Sequence, residues 1–324
     1  MLNLRECHDI IRDHLKGIRM PDSPVNLYDP IRYMLEPEGK RIRPVFVLLG
    51  CNLFTDDIRP AIFPALAVEV FHNFTLMHDD IMDRSDMRRN KPAVHVRWNP
   101  NIGILSGDAM LIKSYELLSA APKACLESLL GLFNRTALQV CEGQQYDMDF
   151  EHSVPITLEQ YLKMIELKTA VLLAASLKMG AIVGGAEDGE AELLYEFGRN
   201  IGIAFQLQDD LLDVYADPSF FGKITGNDIV SNKKTVLLVQ AFQLADGKMK
   251  DELYHWIKIR KFDRDEKILR IMQIYNQLNL REITVSKIKS YHEEALKKLD
   301  RISCNSEKKA ELRMFSEMLM NRKK

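Results

Sequence analysis

Of twelve prolines in the chain, only Pro155 and Pro218 lie beyond Pro122. Proline is the strongest helix breaker, so the segments around and after those two are open to long helices. The sequence uses that freedom. The stretch "TLEQYLKMIELKTAVLLAASLKMGAIVGG" places apolar residues at helical spacing, opens with Thr157 and Gln160 as a capping box, and closes on Gly184 and Gly185. Similar periodicity predicts helices over 61–83, 105–120, 124–147, 190–215, 233–245 and 284–300. Alternating β-branched segments joined by Asn-Gly or Asp-Gly turns are missing. The prediction is an all-α protein.

With 324 residues and 46% hydrophobic content, either two average domains or one large one would bury an ample core. No linker rich in Gly, Ser or Pro divides the chain, no repeat of 20 to 50 residues recurs and no segment is of low complexity. A single domain over 1–324 is the simplest expectation. Its loops are predicted at 84–104 and at 216–232, "ADPSFFGKITGNDIVSN", each directly after an acidic cluster. The balance of 44 basic against 46 acidic side chains gives no field to attract nucleic acid or an anionic membrane. Five scattered cysteines, with no CxxC pair, suit reduced thiols. The N-terminus "MLNLRECHDIIRDHLKG" is charged throughout, unlike a signal peptide, and no uninterrupted apolar run reaches the roughly eighteen residues of a membrane span. A cytoplasmic protein without a transmembrane segment is expected.

Two short motifs stand out against this background. "FHNFTLMHDDIMD" carries Asp79, Asp80 and Asp83, and "FQLQDDLLD" repeats the spacing with Asp209, Asp210 and Asp213. On a helix, residues three and four apart share a face, so each set aims its first and last carboxylates the same way. A lone DDxxD in a polar helix usually marks a solvated face. Here the flanking residues are apolar, and carboxylates so placed are costly unless a cation compensates them. Oxygen ligands without His or Cys favour Mg²⁺, which binds one or two carboxylates and fills its shell with water and substrate phosphate. The expected ligand is a magnesium diphosphate.

Cations follow and precede these motifs. Arg88 and Arg89 offer guanidinium forks for phosphate oxygens, with Lys91 beside them, and Lys40 and Arg43 in "PEGKRIRP" form a second pair three residues apart. Together they point to two anion sites, one bound through metal and one held directly by Lys and Arg. Neither a Walker loop nor a GxGxxG is present, which leaves nucleotide binding without support.

The order "GKRIRP", "FHNFTLMHDDIMD", "MRRNKP", "SGDAML", "GQQYDMDF", "ELKTA", "FQLQDDLLD", "GKITGND" and "NKKT" spans most of the chain. In it the sequence resembles the trans-isoprenyl diphosphate synthases, an all-α family that makes farnesyl, geranylgeranyl and longer polyprenyl diphosphates. The resemblance implies a helical bundle around a central diphosphate-binding cavity, and a homodimer. It implies that Asp79, Asp83 and Asp209 bind three Mg²⁺ ions around the allylic diphosphate, with Asp80, Asp210 and Asp213 in support. Arg88, Lys168 and Lys223 would hold that diphosphate, and Lys233 belongs to the last matched motif. Isopentenyl diphosphate would sit without metal on Lys40, Arg43, His72 and Arg89; the competing reading of His72 is a core histidine. Lys168 and Thr169 through their carbonyls, and Gln206 through its amide, would face the allylic cation. The lost proton would go to the departing diphosphate. Two departures concern geometry: Glu38 stands where the family often has glycine, and Asn90 where glycine is usual. The C-terminal "NRKK" resembles a basic tail that closes the site in this family, or is simply solvated.

Product length is expected to depend on Phe74 and Thr75, five and four positions before Asp79. At about 1.5 Å per residue they sit about 6–7.5 Å back along the helix, in the path of a growing prenyl tail. A single aromatic there resembles synthases making geranylgeranyl diphosphate, with farnesyl the next choice; Phe71 is the alternative floor. Two other functional classes share the first acidic motif. A terpene cyclase or prenyl diphosphate hydrolase needs no Lys40, Arg43 and Arg89 cluster, and a regulatory subunit would be expected to lack part of an acidic motif. A longer-chain synthase differs only in the floor.

Overall fold

The computed structural model describes residues 2–36, 39–151, 153, 155–216 and 226–320. Among them the regular structure is helical apart from one two-strand hairpin. The chain divides into two compact units. The first comprises Met1–Asn134, Ala175–Leu194 and Ser303–Glu311; the second comprises Arg135–Ala174, Tyr195–Ile302 and Leu312–Lys324.

Unit 1 begins with α1 (Leu4–Lys16) and α2 (Val25–Leu35), which the periodicity did not predict, and α3 (Ile42–Asn52), where the apolar run "VFVLLGCNLF" reads as a buried helix and is one. The first has a complete capping box between Asn3 and Glu6. α2 keeps Pro30 inside it, and α3 has Pro44 in its first turn, so the proline-dense half of the chain is as helical as the rest. α4 (Ile62–Met82) carries the first acidic motif, and Asp83 is its C-cap. By length and composition Arg59–Met82 is apolar enough to cross a membrane, in contrast to the sequence expectation, but most of it is buried, with Val68, Val70 and Phe71 in the core.

The loop expected at 84–104 is in large part ordered. β1 (Met87–Arg88) pairs antiparallel with β2 (Lys91–Pro92), α5 (Val94–Arg97) follows, and α6 (Pro100–Leu118) starts earlier than predicted because Asn99 caps it and Pro100 fits its first position. α6 lies close against α4: a Cβ at Gly107 would meet His78 Nε2 at 2.2 Å. α7 (Lys123–Glu151) supplies residues to both units.

The interrupted helix of the "ELKTA" motif starts in unit 2 and runs on into the 175–194 segment of unit 1. α8 (Leu158–Ile165) opens on the predicted Thr157–Gln160 capping box. A π-turn over Glu166–Ala170 follows, and α9 (Val171–Val183) continues the run. Its predicted end at Gly184 and Gly185 closes with bonds from Gly185 N–H to Ile182 O and Ala186 N–H to Ala181 O. α10 (Asp188–Tyr215) carries the second acidic motif. Within the loop expected at 216–232, residues 217–225 lie outside the described residues, whereas α11 (Asn227–Ser231) is helical. α12 (Val236–Leu244), α13 (Gly247–Lys258), α14 (Arg264–Gln277), α15 (Leu280–Asp300) and α16 (Ser306–Met320) complete the chain. Tyr161, Leu207, Val236, Tyr275 and Ile288 pack in one buried cluster of unit 2. All five cysteines are unpaired.

Candidate active site

The first acidic motif is built by α4 and the hairpin together. Asp80 is buried and accepts from Arg88 Nε at 2.9 Å and Nη2 at 2.6 Å, while Arg88 Nη2 lies 3.5 Å from Asp79. Burial raises the Asp80 pKa and Arg88 opposes it. Arg88 itself stays firmly protonated, since Asp80, Asp79 and Asp83 outweigh the cost of its burial. Asp80 is therefore spent on Arg88. Asp79 and Asp83 lie a helical turn apart, joined by the bond from Asp83 N–H to Asp79 O at 2.8 Å.

The second cation group lies about two turns earlier on the same helix, where His72 shares a face with Asp79 seven residues on. Arg43 donates to His72 Nε2 at 3.1 Å, and burial with the nearby Arg43, Arg89, Arg88 and Arg41 charges drives the His72 pKa well down, so the ring is neutral. Burial lowers Arg43 to about 10, against the attraction of Glu69. Its Nε is buried and makes no hydrogen bond, an orphaned donor in a cationic pocket and the kind of group an anion's oxygen would satisfy. Arg89 donates to Asn73 Oδ1 at 3.3 Å. Arg89 and Asn90 form the two-residue turn of the hairpin, at φ 52° and 60°. Asparagine is the side chain best able to take that left-handed conformation in glycine's stead, so the Asn90 departure leaves the hairpin intact. Lys40 is exposed. Glu38 lies outside the described residues.

In unit 2 the second motif is anchored differently. Asp210 is buried and accepts from the Tyr161 hydroxyl, from Val236 N–H at 2.9 Å and from Gln206 Nε2 at 3.1 Å. Burial raises its pKa, and these donors oppose the rise. Asp213 accepts from Asp228 N–H at 3.0 Å, tying α10 to the start of α11. Asp228 is pushed up to about 7 by burial, which outweighs the nearby Lys233 charge and is reinforced by the three aspartates of the motif. Lys233 reaches Asp228 only loosely, at 3.9 Å.

The π-turn sets Lys168 and Thr169. A π-turn breaks the regular helical bond pattern and is frequent at functional sites, and here it redirects the backbone at the two residues whose carbonyls were expected to face a cation. Lys168 Nζ is fixed by Asp147 at 2.6 Å, and Thr169 Oγ1 donates to Gln206 Oε1 at 3.3 Å. α7 comes so near that a Cβ at Gly143 would meet Lys168 N at 2.2 Å, which explains the glycine of "GQQYDMDF". With its amide given to Asp210 and its oxygen to Thr169, Gln206 is fixed in orientation.

Participants that escaped the sequence reading include Asp147, Tyr161, Asp228, Arg41, Asn73 and Glu69. The signal for Glu69 was present, as a lone acid in the apolar "VEVFHNF" one turn before His72. Lys223 and the "NRKK" tail lie outside the described residues. Among the described residues no cluster of three or more His, Cys, Asp or Glu side chains is arranged to hold an ion by itself. The donor set fits a hard ion that takes few carboxylates and shares the rest of its shell with phosphate and water.

Near Asp79, Phe74 is half-buried, its ring edge-on to His78 at 4.8 Å and tilted against Phe71 at 5.6 Å. Phe71 is buried and packs edge-on against Phe133 at 5.1 Å, so its ring is part of the unit 1 core.

Residues 24–275 match the family described as Polyprenyl synthetase. A geranylgeranyl diphosphate synthase of Methanosarcina mazei is 44% identical over 222 residues, 68% of each chain. One of Sulfolobus acidocaldarius is 33% identical over 322 residues, covering 98% of this chain and 96% of that one. A crystal structure of a geranylgeranyl pyrophosphate synthase superposes with a TM-score of 0.94 at 42% identity, over the whole of both chains. The chain therefore belongs to the polyprenyl synthetase family.

Proposed function

We propose that this prenyltransferase condenses isopentenyl diphosphate head to tail with allylic diphosphates, acting as one synthase domain and making geranylgeranyl diphosphate, with farnesyl diphosphate the next choice. One observation carries this reading over a cyclase or hydrolase: the Arg43–His72–Arg89 group, with its orphaned Arg43 donor, is a second anion site that ionisation of a single diphosphate does not require.

Asp79, Asp83 and Asp209 would hold Mg²⁺, which when bound neutralises charge on the leaving diphosphate. Arg88, Lys168 and Lys223 hold the same diphosphate, Arg88 and Lys168 being preset by Asp80 and Asp147. As the allylic C–O bond breaks, the electron pair leaves with the diphosphate. The fixed carbonyls of Lys168 and Thr169 and the Gln206 amide face the cationic carbon. Lys40, Arg43 and Arg89 with the neutral His72 hold isopentenyl diphosphate so that its double bond forms the new C–C bond. The proton then passes to the departing diphosphate. Neutral His72 accepts from Arg43 and so orients that guanidinium.

We place the protein in the cytoplasm as a homodimer. Leu105 and Ile112 on α6, 61% and 69% exposed, support an apolar face for a second copy. Light scattering checks this.

The test of function incubates the protein with Mg²⁺, labelled isopentenyl diphosphate and each of dimethylallyl, geranyl and farnesyl diphosphate, and sizes the products. Incorporation of label is expected; ionisation of the allylic substrate without incorporation would favour the cyclase or hydrolase. Because Phe71 is held in the core, Phe74 is the favoured floor. Phe74→Ala should lengthen the products beyond geranylgeranyl and Thr75→Phe should shorten them toward farnesyl. An unchanged distribution in both variants puts the floor elsewhere.

A further inference from the structure

We propose that Glu69 and Asn73 are positioning residues for isopentenyl diphosphate, holding the arginines of two separate loops in place before the substrate arrives. This rests on assigning the Arg43–His72–Arg89 pocket to that substrate. Both residues lie on α4 and are buried, at 1% and 0% exposure, where a lone polar pair in an apolar helix is costly unless every group is used.

Their hydrogen bonds run to both loops. Glu69 Oε1 accepts from Arg41 Nη1 and from Asn73 Nδ2, the latter at 2.7 Å, and Asn73 Nδ2 also donates to Glu69 O at 2.8 Å. The amide is thereby turned so that its Oδ1 faces outward, where it accepts from Arg89. Between them on the helix, His72 accepts from Arg43. Residues 69, 72 and 73 thus present one helix face to Arg41 and Arg43 from the start of α3 and to Arg89 from the hairpin.

Two features show that these loops need holding. Arg41 and Arg89 both have left-handed backbones, at φ 44° and 52°, a conformation that strains a non-glycine residue and persists only when its surroundings fix it. The arginines are also crowded together: burial lowers the pKa of both Arg43 and Arg89, neighbouring arginine charge lowers it further, and Glu69 opposes this in each case. Glu69 is thus the buried counter-charge that keeps the cations assembled in the absence of a diphosphate. A buried carboxylate beside an anion site has no favourable contact to make with the anion itself. Its effect reaches the substrate through Arg41, Asn73 and Arg89.

Steady-state kinetics with both substrates varied tests the proposal, alongside calorimetric titration of isopentenyl diphosphate into the protein in EDTA, which reads the metal-free pocket alone. Glu69→Gln keeps the acceptor and removes the charge; Asn73→Ala keeps the charge and removes the Arg89 contact together with the two amide bonds to Glu69. Each is expected to raise the Michaelis constant for isopentenyl diphosphate by about ten-fold, the equivalent of about 1.4 kcal/mol, with the allylic constant within about two-fold and kcat changed less than either. Glu69→Asp should recover part of the loss caused by Glu69→Gln. Equal rises in both Michaelis constants, or a loss of thermal stability with neither constant moved, overturns the positioning role. Should Glu69→Gln fail to fold, Asn73→Ala decides alone, an unchanged isopentenyl diphosphate constant overturning the proposal. A wild-type protein that consumes no isopentenyl diphosphate would instead refute the assigned reaction, a result distinct from any variant's.

Discussion

The two acidic motifs share a spacing but differ in what holds their central carboxylate. In the first, Asp80 is neutralised by the guanidinium of Arg88, which is 31% exposed at its side chain and also approaches Asp79. In the second, Asp210 is fully enclosed by neutral donors, the Tyr161 hydroxyl, Val236 N–H and the Gln206 amide. The first motif is held by charge, partly open to solvent; the second is buried and held by geometry, with the Lys233 charge nearby. In both, the central carboxylate is occupied by the protein; Asp213 is likewise tied, to Asp228 N–H, and Asp79, Asp83 and Asp209 are the proposed ligands.

The largest expected effect removes those ligands. Asp79→Ala and Asp209→Ala should each reduce kcat on the order of 10³-fold or more, since each deletes part of the charge stabilisation on which ionisation depends. Circular dichroism should show the helices intact. Near-normal turnover in either variant would mean that the two motifs do not act on one diphosphate.

Next come the anchors, where the two motifs should part company. Arg88→Ala strands a buried carboxylate and should cost about 2–3 kcal/mol of stability after allowance for the partial exposure of the pair, with a weaker allylic substrate as well. Tyr161→Phe removes one donor of three from Asp210 and should cost about 1.5 kcal/mol. Salt sharpens the contrast. Raising ionic strength should shrink the Arg88→Ala penalty, because the pair is screened, and leave that of Tyr161→Phe unchanged. Equal salt dependence in the two variants would show that one kind of anchor serves both motifs.

The same contrast shows what the sequence made legible. Asp79, Asp80, Asp83 and the later triad were readable because spacing alone puts them on one helix face, and the Thr157 box and the Gly184–Gly185 end because caps are local chemistry. The difference between Asp80 and Asp210 was not readable. Tyr161 and Val236 lie far from Asp210 in the chain and reach it only through packing. Prolines misled the element boundaries for a definite reason: Pro44, Pro64 and Pro100 stand in first turns, where no N–H is needed, and begin helices instead of ending them. The hairpin was invisible because its turn, Arg89–Asn90, contains no glycine.

The smallest expected effect lies in that turn, which carries Arg88 to the first motif while α11 braces the second. Met87 pairs with Pro92 and Arg88 with Lys91, leaving Arg89 and Asn90 to turn the chain with both φ angles positive. Asn90→Gly relieves side-chain crowding in the left-handed conformation but frees the unfolded chain, and these oppose one another. The net change should stay within about 0.5 kcal/mol by thermal denaturation, with both Michaelis constants within about two-fold. Asn90→Val is the counterpart, since a β-branched side chain in that conformation costs about 1–2 kcal/mol and would shift Arg88 and Arg89 together. If the backbone alone matters at this position, glycine is silent and valine weakens both the allylic and the isopentenyl substrate. Should glycine weaken them as well, the Asn90 side chain contributes more to the anchor of the first motif than its conformation, and the charge-held motif depends on its turn in a way that the geometry-held one does not.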